Sequence, residues 1–117
     1  MIQSTRSALI YNRRCARYPV HFQSTLSTAQ LPEGNGTAVE LSIRGCRVRS
    51  FIPVIPGLRM KISIDIRTPD VVIEVDQAVV RWVSGEHFGL EFASITPEQF
   101  ERLTAVIQQL LAVPNRG

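Results

Sequence analysis

The sequence predicts an all-β fold with one terminal helix, and three observations support this prediction. Short segments in which apolar and polar residues alternate recur along the chain, as is typical of half-buried strands. Turn residues separate these segments at short intervals, as they do in small barrels and sandwiches. The C-terminal stretch instead repeats apolar residues at helical spacing. A chain of 117 residues fits one domain, and we expect roughly five to seven short strands followed by an amphipathic helix.

The first half of the chain begins with a polar, arginine-rich arm over residues 1–17. The cluster LPEGNG at 31–36 is dense in turn residues and predicts a turn. Gly45 interrupts a strand pattern, which indicates a bulge or a close approach of two backbones. The strands predicted for this half cover residues 20–28, 37–43 and 46–52.

The second half carries the clearest strand pattern, MKISIDI, in which apolar and polar residues alternate strictly. The next β-rich stretch is long, and we expect it to be bent or split near Asp76. A turn at SGE leads to the last strand, which places Phe88, Leu90 and Phe92 on one face. The strands predicted for this half cover residues 60–66, 71–83 and 87–93.

A helix is predicted over about 97–112. Thr96 is a suitable N-cap, Pro97 fits the first helical position, and Gln99 stands where a capping box requires it. The apolar stripe of the helix contains Phe100, Leu103, Ile107 and Leu110. We therefore divide the chain into an arm over 1–17, a barrel domain with its helix over 18–112, and a tail over 113–117.

The positive charge of the chain is concentrated in its first half. Residues 1–50 contain seven arginines and two acids, whereas the rest contains six basic residues and eight acids. Such a distribution favours an anionic ligand or surface, although a solvated basic face gives the same pattern. Lys61 is the only lysine, and arginine offers a planar fork that grips phosphates and guanine edges.

The remaining composition argues against several classes of protein. Cys15 and Cys46 have neither metal-binding nor disulfide-framework spacing, and we interpret them as free thiols in a reducing cytoplasm. No apolar run is long enough to predict membrane insertion. Ser42 does not lie in a nucleophile elbow, and His21 and His87 lie in strand patterns where structural roles are commoner. We therefore expect no enzyme, no metal and no cofactor.

Three arginines of the arm lie close enough to converge on one ligand. They are Arg13, Arg14 and Arg17, within NRRCARYPV. Their guanidinium forks suit phosphate oxygens or the O6 and N7 atoms of guanine. We expect this cluster to supply one half of a binding site.

The segment VELSIRG supplies the second half of the predicted site. Glu40 and Ser42 alternate with Leu41 and Ile43, so a regular strand would place Glu40 and Ser42 on one outer face. Gly45 would then leave the backbone open at that surface. A carboxylate, a hydroxyl and an open backbone beside arginine forks fit a guanine nucleotide with exposed phosphates.

At this point the sequence resembles the PilZ domain, a bacterial receptor family for cyclic di-GMP. The family signature is Arg-x-x-x-Arg followed by Asp/Asn-x-Ser-x-x-Gly. Here RRCAR places Arg13 and Arg17 in the arginine positions, and ELSIRG places Ser42 and Gly45 in the serine and glycine positions. The last hairpin and helix are also similar, so the resemblance covers roughly residues 10–112. Glu40 departs from the Asp/Asn position, keeping its charge but extending one methylene further.

The resemblance implies a six-stranded antiparallel β-barrel with a C-terminal helix. It also implies that the arm wraps cyclic di-GMP onto the outer barrel surface, where Arg13 and Arg17 grip phosphates and guanine and Arg14 adds a contact. Ser42 and Gly45 would line the ligand. Trp82 either stacks on a guanine, as an aromatic residue in this region does in some members, or belongs to the barrel core.

Three functional hypotheses follow from the sequence. The first is a cyclic di-GMP receptor or adaptor without catalytic activity, whose arm changes conformation on binding and signals to an unidentified downstream protein. The second, motivated by Glu40, is an interaction module of the same fold that has lost ligand binding. The third is a small barrel that binds nucleic acid through its basic arm, but no aromatic residue alternates with the arginines, which counts against it.

Overall fold

The computed structural model describes residues 15–67 and 70–112. Most of the predicted arm, including Arg13 and Arg14, lies outside the described residues, and so does the predicted tail over 113–117. Six strands and one helix make up the described part. They are β1 (Tyr18–Ser27), β2 (Gly34–Leu41), β3 (Gly45–Arg49), β4 (Arg59–Ile66), β5 (Val71–Ser84), β6 (His87–Ser94) and α1 (Pro97–Ala112).

The six strands form a closed antiparallel barrel in the order β1-β2-β3-β6-β5-β4. This confirms the predicted fold class. Closure leaves no open sheet edge around the ring. Alternating side chains fill the interior, as β4 illustrates with Met60, Ile62, Ile64 and Ile66, all of which are buried. Burial of this apolar surface is the main force that stabilises the barrel.

The strand β2 begins earlier than the sequence predicts. The turn ends before Gly34, so the prediction of a turn over 31–36 is wrong in its second half. A Cβ atom on Gly36 would lie 2.9 Å from Val48 Cγ1. This glycine is therefore needed for close packing within the strand, whereas in the sequence it has the appearance of a turn signal.

The long strand β5 is continuous and irregular near Asp76, where a bend or break is predicted. Met60 pairs with Ala78 but Ile62 pairs with Val75, so β5 carries one extra residue at this point. The irregularity lies where β5 begins to pair with β6, whose ladder starts at Gln77. At this point β5 pairs with β4 on one side and begins to pair with β6 on the other.

The helix α1 packs against the first half of β5. Its Leu103 and Val106 side chains are buried in the core. Arg102 Nη1 donates to the carbonyl of Val72 at 3.1 Å. Gln99 Oε1 accepts from the backbone N–H of Glu74 at 2.9 Å. The helix thus satisfies backbone groups of β5 ahead of its pairing with β6.

The start of α1 agrees with the predicted N-cap. Thr96 Oγ1 accepts from the N–H of Gln99 at 3.3 Å. The Gln99 side chain bonds to β5 instead of completing the capping box, because the tertiary contact takes its acceptor. Among the described residues, no helix is long and apolar enough to cross a membrane.

The turn between β2 and β3 depends on Gly45. Its Cα faces the backbone of β6, and a Cβ atom there would overlap the carbonyl oxygen of Leu90. Gly45 is buried, and the expectation that it leaves the backbone open to a ligand stays a prediction. The close approach of two backbones, which a glycine in a strand pattern also indicates, is what the structure contains.

We predict that Gly45→Ala lowers the free energy of unfolding by about 3 kcal/mol, because the clash involves backbone that cannot rotate away. Gly89→Ala is a matched control, since a Cβ there would overlap only the indole of Trp82, which can move. We expect it to cost about 1 kcal/mol or less. Urea denaturation of both variants gives the two values, and equal losses would contradict the backbone argument.

The thiol of Cys46 is part of the barrel core. Burial raises its pKa from 9.0 to about 12, because the charged thiolate is poorly solvated there. Between those values the unfolded chain loses the proton while the folded chain keeps it. The contribution of Cys46 to stability is therefore complete below pH 9 and decreases as the pH rises toward 12.

We predict that the wild-type protein loses more stability than Cys46→Ala when the pH rises from about 8 to about 10.5. Urea denaturation at both pH values measures this difference. The loss of stability is measured within each protein, between the two pH values. The smaller core volume of the variant and the titration of the other groups therefore cancel when the two losses are compared. Identical losses in the two proteins would contradict the assignment.

Candidate functional site

A cavity of about 280 Å³ opens at the outer surface of the barrel. Its walls come from the turn between β2 and β3 and from the facing segments of β5 and β6, with residues just ahead of β1 at one side. Five of the seven predicted site residues line it. They are Arg17, Glu40, Ser42, Gly45 and Trp82.

Ser42 builds the turn that forms one wall of the cavity. Its Oγ accepts from the N–H groups of Arg44 and Gly45, both at 3.1 Å, and donates to the carbonyl of Gly45 at 3.2 Å. The strand β2 already ends at Leu41, and Ser42 is buried. The expectation that Glu40 and Ser42 share an outer strand face is therefore wrong, because the chain turns one residue earlier.

Glu40 is part of a short polar chain on the barrel surface. Its Oε1 lies 3.7 Å from Nε of Arg47, and Nη1 of Arg47 lies 3.0 Å from Nδ1 of His87. Glu40 and Arg47 line the cavity. The carboxylate of Glu40 thus faces the cavity while it is already paired with a cation from the neighbouring strand.

Trp82 lies outside the barrel core and is 42% exposed. The indole covers the backbone of Gly89, where any Cβ atom would displace it. The strand pattern places Val80 on the same face as Trp82, but the register of β5 and β6 shifts between these two residues, and Val80 is buried. The core alternative for Trp82 is therefore wrong.

Further cavity residues were not singled out from the sequence. They come from strands whose pairing is not visible locally, and they are Cys15, Arg44, Arg47, Arg81, Gly89 and Glu91, with Leu41, Cys46 and Leu90 adding apolar wall. Four arginines and two glutamates therefore line the cavity, so its charge is positive. The only signal in the sequence for these residues is the excess of arginine in the first half, which includes Arg44 and Arg47 but not Arg81.

This arrangement suits an anionic, planar ligand. Guanidinium groups bind phosphate oxygens, and an exposed indole can stack on a base. Within residues 15–67 and 70–112, no group of three or more His, Cys, Asp or Glu side chains could hold a metal ion. The residues that line the cavity offer charge, hydrogen-bonding groups and an exposed ring for stacking.

Several solved structures share this fold. Inhibitor of motility (MotI/DgrA) from Bacillus subtilis is 16% identical with a TM-score of 0.74, and the alignment covers 89% of this chain but 53% of that one. The chain thus spans about half the length of that protein. The PilZ domain of YcgR from Escherichia coli, solved with c-di-GMP, is 16% identical with a TM-score of 0.71 and coverages of 86% and 92%.

The PilZ domain of CeSA from a cellulose-synthesizing bacterium is 13% identical, with a TM-score of 0.66 and coverages of 82% and 98%. At these identities the likeness concerns the fold. No curated protein matches the sequence. A family model described as the PilZ domain matches residues 11–109, which is most of the chain and includes both arginine and serine–glycine motifs. The chain belongs to the PilZ domain family.

Proposed function

We propose that the chain is a cyclic di-GMP receptor that acts as an adaptor without catalytic activity. The observation that carries this proposal is the positive surface cavity, which brings together residues from three separate parts of the sequence: Arg17, the segment with Glu40, Ser42 and Gly45, and Trp82. The YcgR domain of the same family, whose structure contains c-di-GMP, supports the choice of ligand.

The arm contributes the first set of ligand contacts in this proposal. Cys15 and Arg17 line the cavity, and Arg13 is two residues from Cys15, within about 7 Å of extended chain. Arg13, Arg14 and Arg17 are thus close enough to place their guanidinium forks on the phosphodiesters and guanine edges of one ligand.

The barrel contributes the second set. Glu40 accepts from guanine N–H groups, and the exposed ring of Trp82 stacks on a base. Ser42 and Gly45 act through the shape of the turn, whose backbone forms the wall against which the ligand lies. Their role is therefore to position this wall.

Ligand binding orders the arm on the barrel and so changes the surface that a partner encounters. This is how a single domain can transmit a signal without an enzymatic output. The partner is an unidentified downstream protein in the cytoplasm. An effect of this kind requires that the partner distinguishes the ordered arm from the free one.

Isothermal titration with cyclic di-GMP tests the receptor proposal. We expect the wild type to bind at micromolar or lower concentrations and Arg13→Ala and Arg17→Ala each to weaken binding at least about tenfold, because each loses charge-assisted hydrogen bonds. Arg59→Ala is the matched control, since Arg59 bonds to Gln77 away from the cavity. A flat wild-type trace at tens of micromolar would refute the proposal.

The alternative is a PilZ-fold interaction module that does not bind the ligand, and the pairing of Glu40 with Arg47 favours it. If the receptor proposal holds, Glu40→Asp binds about threefold more tightly than the wild type, because the shorter side chain matches the family position. Glu33→Asp, outside the cavity, is the control. A wild type that does not bind, together with a Glu40→Asp variant that does, would establish the alternative.

A further inference from the structure

The irregularity between β5 and β6 places two consecutive side chains on the outer surface of the barrel. Val80 pairs with Leu90 and Trp82 pairs with Gly89, so Arg81 is the extra residue of a bulge. In a regular strand Arg81 and Trp82 would point to opposite faces. Here both are exposed and both line the cavity.

Arg81 is held in place from the neighbouring strand. Its Nε donates to Oε1 of Glu91 at 2.5 Å, and Glu91 also lines the cavity. In the part of the chain that the structure describes, Glu91 is the only hydrogen-bonding partner of the Arg81 side chain. The bond uses the Nε–H group, which leaves the donors of both terminal nitrogens available.

This ion pair is too exposed to contribute much to folding. The side chains of Arg81 and Glu91 are 58% and 40% exposed, and such pairs stabilise proteins only weakly because water screens them. What the pair does determine is the direction of the guanidinium group at the cavity wall. An arginine that is already oriented loses less conformational entropy when it binds an anion.

We infer that Arg81 is a further phosphate-binding residue for the ligand and that Glu91 is its positioning residue. The inference rests on the proposed function and extends the site to a pair outside both sequence motifs. The terminal nitrogens of Arg81 donate to the phosphodiester oxygens from the wall formed by β5 and β6. Arg17 reaches the same cavity from the side of β1.

The two roles make opposite predictions for the removal of Glu91. If Glu91 acts only through its negative charge, its loss favours an anionic ligand, and Glu91→Ala and Glu91→Gln both bind more tightly. If Glu91 positions Arg81, Glu91→Ala binds more weakly although the cavity becomes more positive. Glu91→Gln keeps an oxygen that accepts from Nε, so it binds at least as tightly as the wild type.

Isothermal titration with cyclic di-GMP measures these effects, with circular dichroism and thermal unfolding to show that each variant is folded. We expect Arg81→Ala to weaken binding about tenfold, and Arg81→Lys to weaken it less, because lysine keeps the charge but not the fork. We expect Glu91→Ala to weaken binding about threefold. In the double variant Arg81→Ala/Glu91→Ala, the second change should cause no further loss, because there is no guanidinium to orient.

The outcomes separate this inference from the function on which it rests. A wild type that binds, together with an Arg81→Ala variant that binds equally well, overturns the role of Arg81 and leaves the receptor proposal intact. A Glu91→Ala variant that binds as tightly as the wild type, or more tightly, overturns the positioning role. A wild type that does not bind refutes the receptor proposal, and with it this inference.

Discussion

The architecture of the cavity depends on the close contact between the backbone at Gly45 and the carbonyl of Leu90. This contact brings the turn after β2 against β6. The N–H of Phe92 donates to the carbonyl of Arg44 at 2.9 Å, which extends the contact to the residue ahead of β3. The hydroxyl of Ser42 satisfies the amides inside the turn. Serine and glycine at this spacing therefore form a wall before any ligand is present.

A second departure from regular strand geometry supplies the opposite side of the cavity. In β5 three consecutive residues, 78–80, are buried. The bulge at Arg81 follows them, and two neighbouring residues, Arg81 and Trp82, line the cavity from the outer surface. Gly89 then allows the indole of Trp82 to lie directly on the backbone of β6. The strand β4 follows simple alternation, and the cavity lies beside the part of β5 where that alternation is broken.

This division explains how much the sequence could predict. The six strands and the helix were predictable because alternation and helical spacing are local patterns, and the barrel confirms them. The start of β2 at Gly34 and the face of Val80 were not, because both depend on contacts with distant strands. The structure brings five predicted residues to one cavity, but their role in binding stays a prediction. The roles proposed for Arg81 and Glu91 could not be predicted from the sequence, because they depend on the register between β5 and β6.

The arginine side chain ahead of β1 and that of Arg81 on β5 lose conformational entropy at different stages. Arg17 is exposed just ahead of β1, so placing its long side chain on a ligand costs side-chain entropy at the moment of binding. Arg81 stands on a closed barrel and is already oriented by Glu91, so most of its cost falls on folding. Under the proposed function, affinity comes in part from the barrel, and the proposed conformational change is confined to the arm. Mutations of the barrel arginine should therefore affect affinity, whereas mutations of the arm should affect both affinity and the signal.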